Sequence, residues 1–346
     1  MTGFFSRRSS IRLSVDGVHV PCGTPRVPAQ EDTLADSASQ RRFICGEALG
    51  WTREDMAMPE NREMPTQPAP LPLREGSRMK RILFHGCPGL ILAAVILLGG
   101  CEVRNRFLYF PSAERPTARS LAAENMKFWQ GTSGDYRGLT ADREADAPHG
   151  TMVLFHGNGG TALDRGFYLQ PLMRRGFRVI LAEYPRYGGR PGRVGEKPFV
   201  ADGRETVRRA YAQYGRPVYL LGESLGAGVA AAVAGQSPVP IAGVILMTPW
   251  DTLAAVARTR LPFLPAGLFF TDTYDSTGNL RLFKGKIAVI GAERDDIVPV
   301  GHARRLYASL PEGKKRLWVI RGAGHNDWPL YADASLWKEV TDFVKE

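Results

Sequence analysis

Hydrophobic and polar positions along the chain follow two regimes that meet near residue 104. Beyond it, apolar runs recur at Met152–Phe155, Arg178–Leu181, Val218–Leu221, Ala242–Met247, Ile287–Ile290 and Leu317–Ile320. Each is short and aliphatic or β-branched, as a strand buried on both faces requires. Between them lie helix-length segments at Thr161–Arg175, Lys197–Tyr214, Leu225–Gly235, His302–Leu310 and Trp328–Lys345. Strand then helix, repeated, predicts an α/β domain with a mostly parallel sheet and helices on both faces. Leu108–Pro111 and Phe128–Gly131 read as shorter strands that would start the sheet in antiparallel fashion. The rhythm breaks at "LPFLPAGLFFTDTYD", Leu261–Asp275. Two readings stay open for that stretch: a core loop, or a small cap insertion spanning residues 257–282 over an active site. The cap would give Phe263, Phe269 and Phe270 a partner.

Upstream the pattern changes. Residues 1–78 carry eight prolines, ten arginines, no lysine and ten acidic residues without sustained periodicity, so no fold is expected there. Next comes "MKRILFHGCPGLILAAVILLGGCEVRN", with a positive start at Lys80-Arg81, an apolar stretch over 82–98, and Gly99-Gly100 before Cys101. That is the layout of a secretory signal. It resembles a bacterial lipoprotein signal, in which Cys101 would become the lipidated first residue. The alternative is a plain membrane anchor. The uninterrupted run Gly89–Cys101 has 13 residues, short of the roughly 20 needed to span a bilayer, although counting from Ile82 reaches that length. Either reading tethers a domain of residues 102–346 to a membrane. It also places that domain outside the cytoplasm, because Lys80 and Arg81 hold the start of the segment inside. Since the signal begins at an internal Met79, residues 1–78 are expected to be a disordered extension or a miscalled start.

Composition narrows the function classes. Of 346 residues, 44% are hydrophobic, enough for one large domain or two modest ones. The net charge of +10 lies wholly beyond Arg78, because residues 1–78 sum to zero. No lysine/arginine block, RNA-binding signature or helix-turn-helix pattern accompanies it, so a basic solvated surface is expected and no nucleic-acid partner. The four cysteines, Cys22, Cys45, Cys87 and Cys101, all precede the main domain and fit no zinc spacing. Neither a disulfide nor a cysteine-ligated metal is therefore expected within it.

Candidate chemistry enters at "VYLLGESLGAGVAAAVAG", Val218–Gly235. The pattern Gly222-x-Ser224-x-Gly226 is common by chance, but here it joins an apolar strand to a small-residue helix. A serine on that sharp turn holds its hydroxyl out at the carboxyl edge of the sheet, and glycines on either side let strand and helix approach. A serine hydroxyl needs a base, and the base needs a third group to orient it. Only His302 and His325 follow Ser224. His302 begins a predicted helix, where a surface or capping role is expected. His325, in "VIRGAGHNDW", sits on a glycine-flexible loop just past the last strand. "IAVIGAERDDIVPV" offers Asp295 and Asp296 directly after the preceding strand, one as the orienting acid and the other as a turn residue. In "MVLFHGNGGTA" the glycines after Phe155 allow backbone N–H groups to turn toward a developing oxyanion, with a second donor from Leu225. His156 comes too early in the order to be the base and reads as a structural loop residue. The glycine spacing there is not that of a nucleotide site.

These features agree in chain order. The segment from about Arg106 onward resembles the α/β-hydrolase superfamily, and most nearly its membrane-anchored, serine-aminopeptidase-like branch. The stretches that carry the resemblance are "NRFLYFPS", "HGNGG", "AEYPRYGGRPG", "GESLGAG", "TDTYDS", "GAERDDIVP" and "GAGHND". It implies Ser224 as nucleophile, Asp295 as acid, His325 as base, and the N–H groups of Asn158 and Leu225 as oxyanion hole, with no metal or cofactor. Arg186 departs from the family pattern, which has glycine there, and would alter the pocket rim. The expectation is a serine hydrolase acting on esters or thioesters of a small or lipid-like acyl substrate. A peptidase of the same fold and a catalytically silent, membrane-tethered binding protein are the alternatives.

Overall fold

The computed structural model describes residues 108–129, 136–144, 147–260 and 272–346. The signal-like segment, Cys101 and the stretch 261–271, with Phe263, Phe269 and Phe270, lie outside the described residues. No helix among the described residues is long and apolar enough to cross a membrane.

Eight strands form one sheet: β2 (Met126–Trp129), β3 (Gly138–Ala141), β4 (Gly150–Phe155), β6 (Phe177–Ala182), β7 (Val218–Glu223), β8 (Gly243–Met247), β9 (Lys286–Ala292) and β10 (Lys315–Ile320). Their order across the sheet is β10-β9-β8-β7-β4-β6-β3-β2. Only β3 runs against the rest, pairing antiparallel with both β2 and β6. The six predicted apolar runs are the strands β4 and β6–β10; five are extended by two or three residues, and β8 starts one residue later than its run. Leu108–Pro111 departs from expectation. Only β1 (Phe110–Pro111) forms, outside the main sheet, and it pairs parallel with β5 (Gly159–Gly160). The reason is local: the loop leaving β4 offers its own backbone groups, and Phe110 N–H donates to Asn158 O at 3.0 Å.

Alternation along each strand feeds two apolar layers. Val153, Phe155, Val218 and Leu220 face one, while Met152, Leu154, Tyr219 and Leu221 face the other. The first layer is closed by α3 (Glu196–Tyr214), α4 (Leu225–Gly235), α6 (Ser276–Leu280) and α7 (Gly301–Ser309). The second is closed by α1 (Ala118–Ala123), α2 (Leu169–Arg174) and α8 (Ala334–Lys345). A short helix, α5 (Leu253–Arg260), follows β8. Two of the predicted helices break where 3₁₀ turns intervene, at Leu163–Tyr168 and Trp328–Leu330. Helix α4, built of Gly, Ala, Val and one Leu, is buried at every residue but its terminal Gly235. Only small side chains let a helix lie this close to a sheet on one side and to α3 on the other. Residues 272–280 belong to the body of the domain: Tyr274, Ser276 and Leu280 are all buried.

The strand order reverses at β4, whose chain neighbour β6 lies on one side and β7 on the other. In an open α/β sheet the loops diverge at such a point and leave a crevice at the carboxyl ends of the strands.

Candidate active site

Ser224 sits in that crevice, between β7 and α4, with φ +54° and ψ −115°. A left-handed φ is costly for any residue with a Cβ. The turn is held by close packing on both sides. A Cβ on Gly222 would overlap the Gly226 carbonyl, and one on Gly226 would overlap the carbonyl oxygen of Phe155 at the end of β4. Ser224 N–H donates to Met247 O at 2.9 Å, which ties the turn to β8.

Asp295 follows β9 and His325 follows β10, as the sequence order requires. His325 stands between the other two, its Nε2 2.9 Å from Ser224 Oγ and its Nδ1 2.7 Å from Asp295 Oδ2. With the proton on Nδ1, the imidazole donates to the carboxylate and accepts from the serine hydroxyl. The second carboxylate oxygen, Asp295 Oδ1, accepts from the backbone N–H of Ile297 at 2.9 Å and of Val298 at 2.6 Å. All three side chains are buried. Asp296, the other aspartate the sequence offers, is exposed and takes no part in this chain of hydrogen bonds.

Leu225 is the first residue of α4, so its N–H has no acceptor within the helix. Across the crevice the loop after β4 is clamped from behind. Asn158 O accepts from Phe110 N–H and from the Tyr187 hydroxyl at 2.6 Å, and Asn158 Nδ2 donates to Leu108 O at 3.1 Å. His156 is buried, with Nδ1 2.8 Å from Gly157 O and Nε2 3.0 Å from Glu183 Oε1. It holds the loop and does not reach Ser224. The Asn158 N–H shares its peptide plane with Gly157 O, so the His156 Nδ1 contact fixes that plane, while the occupied carbonyl and side chain of Asn158 fix the residue that follows it in the loop.

Sequence reasoning missed a second brace. Arg165 Nε donates to Glu223 Oε1 at 3.1 Å, and the Tyr168 hydroxyl donates to Glu223 Oε2 at 2.9 Å. The residue before Ser224 is thereby tied to the turn that follows the glycine loop. Burial alone would depress the Arg165 guanidinium, but the charge and hydrogen bond of Glu223, together with Tyr168 and Asp164, outweigh it and hold the pKa above its ordinary value. Burial, reinforced by Glu223, keeps the Tyr168 phenol neutral far above its usual range. No local signal marks a pair 58 residues apart.

His302 also departs from expectation. It is buried, with Nδ1 2.7 Å from Asp251 Oδ1, and Arg305 Nε donates to Asp251 Oδ2 at 2.8 Å. Its N–H bonds to Pro299 O, so the cluster joins the loop after β8 to the one carrying Asp295. His302 lies on the apolar face of α7 with Leu306 and Leu310, and that face draws it inward. Arg186 holds φ +78°, which accounts for glycine in the family pattern. Its side chain is exposed and does not line the crevice.

The crevice encloses about 500 Å³, with Ser224, His325, Asn158 and Leu225 at its floor and Leu108, Leu253, Val256 and Val298 among its apolar walls. A larger cleft of about 1120 Å³, lined by residues such as Asn125, His149 and Arg174, contains none of this chemistry. Among the described residues no three His, Cys, Asp or Glu side chains converge as a metal site would need.

Comparison with known proteins agrees with this architecture. The profile of the Alpha/beta hydrolase family matches residues 152–285. An uncharacterized protein of Mycobacterium tuberculosis (strain CDC 1551 / Oshkosh) is 31% identical over 274 residues, covering 75% of this chain and 96% of its own. Alpha/beta hydrolase domain-containing protein 17C of Homo sapiens is 29% identical over 213 residues, 59% of this chain and 62% of its own. Among solved structures, the Pyrococcus furiosus esterase PF2001 superposes with a TM-score of 0.53 at 18% identity, covering 69% of this chain and 97% of the esterase. The chain belongs to the alpha/beta hydrolase family.

Proposed function

We propose that the protein is a serine hydrolase that cleaves carboxylic ester or thioester bonds through an acyl-enzyme. The observation that carries this reading is His325 bridging Ser224 and Asp295 through two short hydrogen bonds in a buried crevice. Ser224 Oγ attacks the acyl carbon as His325 Nε2 takes its proton, and the carbonyl π electrons move onto oxygen. The N–H groups of Asn158 and Leu225 hold the resulting oxyanion. When the oxyanion collapses, the bond to the alcohol or thiol breaks, and His325 returns the proton to that leaving group. Water then attacks the acyl-enzyme with His325 as base, releasing the acid and restoring the Ser224 hydroxyl. Asp295 keeps the Nδ1–H tautomer and stabilises the imidazolium between steps. The apolar walls of Leu253, Val256 and Val298 suit an acyl chain, and among the described lining residues the one carboxylate, Glu223, is already paired with Arg165 rather than free to grip a peptide amino terminus.

We further propose attachment to a membrane through residues 79–101, with Cys101 as the lipidated residue and residues 102–346 outside the cytoplasm. The charge and apolar pattern of that segment supports this.

The test of the chemistry is a fluorophosphonate probe together with p-nitrophenyl acetate. The full chain should label and turn over, and Ser224→Ala should do neither while melting like the parent. A folded Ser224→Ala protein that still labels sinks the mechanism. A parent that neither labels nor hydrolyses supports the silent binding protein instead.

A further inference from the structure

Large exposed apolar side chains are not scattered evenly over the described surface. Six stand out: Phe110, Phe167, Leu282, Ile297, Leu330 and Tyr331. Five of them lie at the carboxyl edge of the sheet, the edge that holds Ser224. Ile297 follows β9, Leu330 and Tyr331 follow β10, Phe167 follows β4, and Phe110 is hydrogen-bonded to the loop leaving β4. Leu282 alone precedes a strand, β9, at the opposite edge. Phe110 and Ile297 line the mouth of the crevice itself, and Leu330 is 79% exposed. Large apolar side chains gathered at one edge of the sheet, rather than spread singly, point to an interaction surface.

The chain supplies the argument for which partner. Seven residue steps separate Cys101, the end of the apolar signal-like segment, from Leu108, which lines the crevice. Fully extended, they reach roughly 25 Å. Leu108 is not on a free tail: its carbonyl accepts from Asn158 Nδ2, so the tether ends on the glycine loop at the crevice floor. On the proposed attachment at residue 101, a bilayer would lie within one tether length of the crevice mouth.

We propose that the carboxyl-edge face docks on the lipid bilayer, with Leu330, Tyr331 and Phe167 in the interface around a mouth framed by Phe110 and Ile297, and that the acyl substrate is a lipid-like ester drawn from that bilayer. The substrate half of this proposal rests on the serine-hydrolase reading; the docking half does not. Apolar side chains sit in the headgroup and upper acyl region, and the crevice opens toward the compartment in which a long acyl chain dissolves.

Two arms test it on the full chain reconstituted into phosphatidylcholine vesicles. The first reads insertion without catalysis, as tryptophan quenching by brominated lipid in Leu330→Trp and Leu282→Trp against the parent. Leu330→Trp should add quenchable emission and Leu282→Trp should add none. Equal behaviour of the two overturns the docking. The second compares 4-methylumbelliferyl oleate dissolved in the vesicles with soluble 4-methylumbelliferyl acetate. The double variant Leu330→Glu/Tyr331→Glu should lose tenfold or more on the oleate and stay within about twofold on the acetate, while Leu282→Glu changes neither. An unchanged oleate-to-acetate ratio overturns the proposal. So does concentration-dependent self-association that Leu330→Glu abolishes, because it assigns the face to a second copy of the chain. Loss of acetate turnover in the parent would instead sink the hydrolase reading and leave the quenching arm to decide the docking.

Discussion

Replacing Asp295 by asparagine should remove catalysis through a proton, not through a lost shape. In the structure Asp295 Oδ1 accepts two backbone N–H groups, Ile297 at 2.9 Å and Val298 at 2.6 Å, while Oδ2 faces His325 Nδ1 at 2.7 Å. An amide has one acceptor oxygen. Turned so that its NH₂ faces the loop, it would leave both backbone donors unpaired, at about 1–3 kcal/mol each. The oxygen therefore stays on the loop and the NH₂ faces Nδ1. His325 must then accept at Nδ1 and carry its proton on Nε2, where it donates to Ser224 Oγ and no longer accepts from it. The base is in the wrong tautomer, a change that costs roughly 10⁴ in kcat in a well-studied serine protease, or about 5.5 kcal/mol of transition-state stabilisation. Asp296→Asn, on an exposed side chain that makes no bond to His325, should stay within about twofold. The assay is kcat/KM on p-nitrophenyl acetate for both variants, with thermal melts to confirm folding. If Asp295→Asn keeps more than a tenth of the activity while Asp296→Asn loses more than tenfold, the acid is one residue along and the reasoning fails.

Arg165→Met should strand the Glu223 carboxylate and cost about 3 kcal/mol, read as a drop in denaturation midpoint; Arg165→Met/Glu223→Leu should recover most of it. Arg186→Gly relieves a left-handed backbone and should raise stability by about 1 kcal/mol without changing ester turnover; a lower melting temperature refutes the strain. Asp251 is opposed by burial but held below its ordinary 3.8 by hydrogen bonds from His302 and Arg305. A depressed carboxyl contributes stability in full above its unfolded value and loses it as pH falls through the folded one. Asp251→Asn should therefore melt earlier than the parent at pH 7, with the gap closing below about pH 3.8; a gap that widens in acid would refute the sign.

Much of this was legible in the sequence because it is local. The strands β4 and β6–β10 announce themselves as apolar runs. Ser224 and His325 each sit one turn past such a run among glycines, and the structure brings both together with Asp295. What stayed hidden depends on partners far along the chain. Strand β3, "GLTA", is too short and too poor in large apolar residues to register, and gains its place from pairing on both sides. The parallel partner of Phe110 is a pair of glycines, which carry no hydrophobic signature. His302, at a helix start, reads in the sequence as a surface or capping residue. Its spacing from Leu306 and Leu310 pointed inward, but the Asp251 that receives it is 51 residues away. Asp295 and Asp296 are equivalent in local sequence apart from the family resemblance, and what distinguishes them is the approach of His325 from 30 residues away.

The backbone of Ser224 favours the proposed reacting site over one that only binds. A binding crevice has no use for a serine at φ +54°, because an unstrained turn would hold the same hydroxyl near the same walls. Strain of this kind persists only where the surroundings over-determine it. Here they do, on every side: Gly222 and Gly226 pack helix against strand, Met247 O takes the Ser224 N–H, and Glu223, one residue earlier, is held by Arg165 and Tyr168. The facing loop is fixed with the same redundancy through Asn158 O, Asn158 Nδ2 and the His156–Glu183 contact. Donors that are immobile before the reaction need no reorganisation when negative charge appears on the acyl oxygen, and this is where electrostatic catalysis gains over water. At the rim, Phe110 and Ile297 turn exposed apolar side chains outward from backbones that are themselves hydrogen-bonded to this frame. A fixed floor beneath an apolar, exposed mouth is the division of labour expected of an enzyme whose chemistry is constant and whose substrate arrives from a fluid phase.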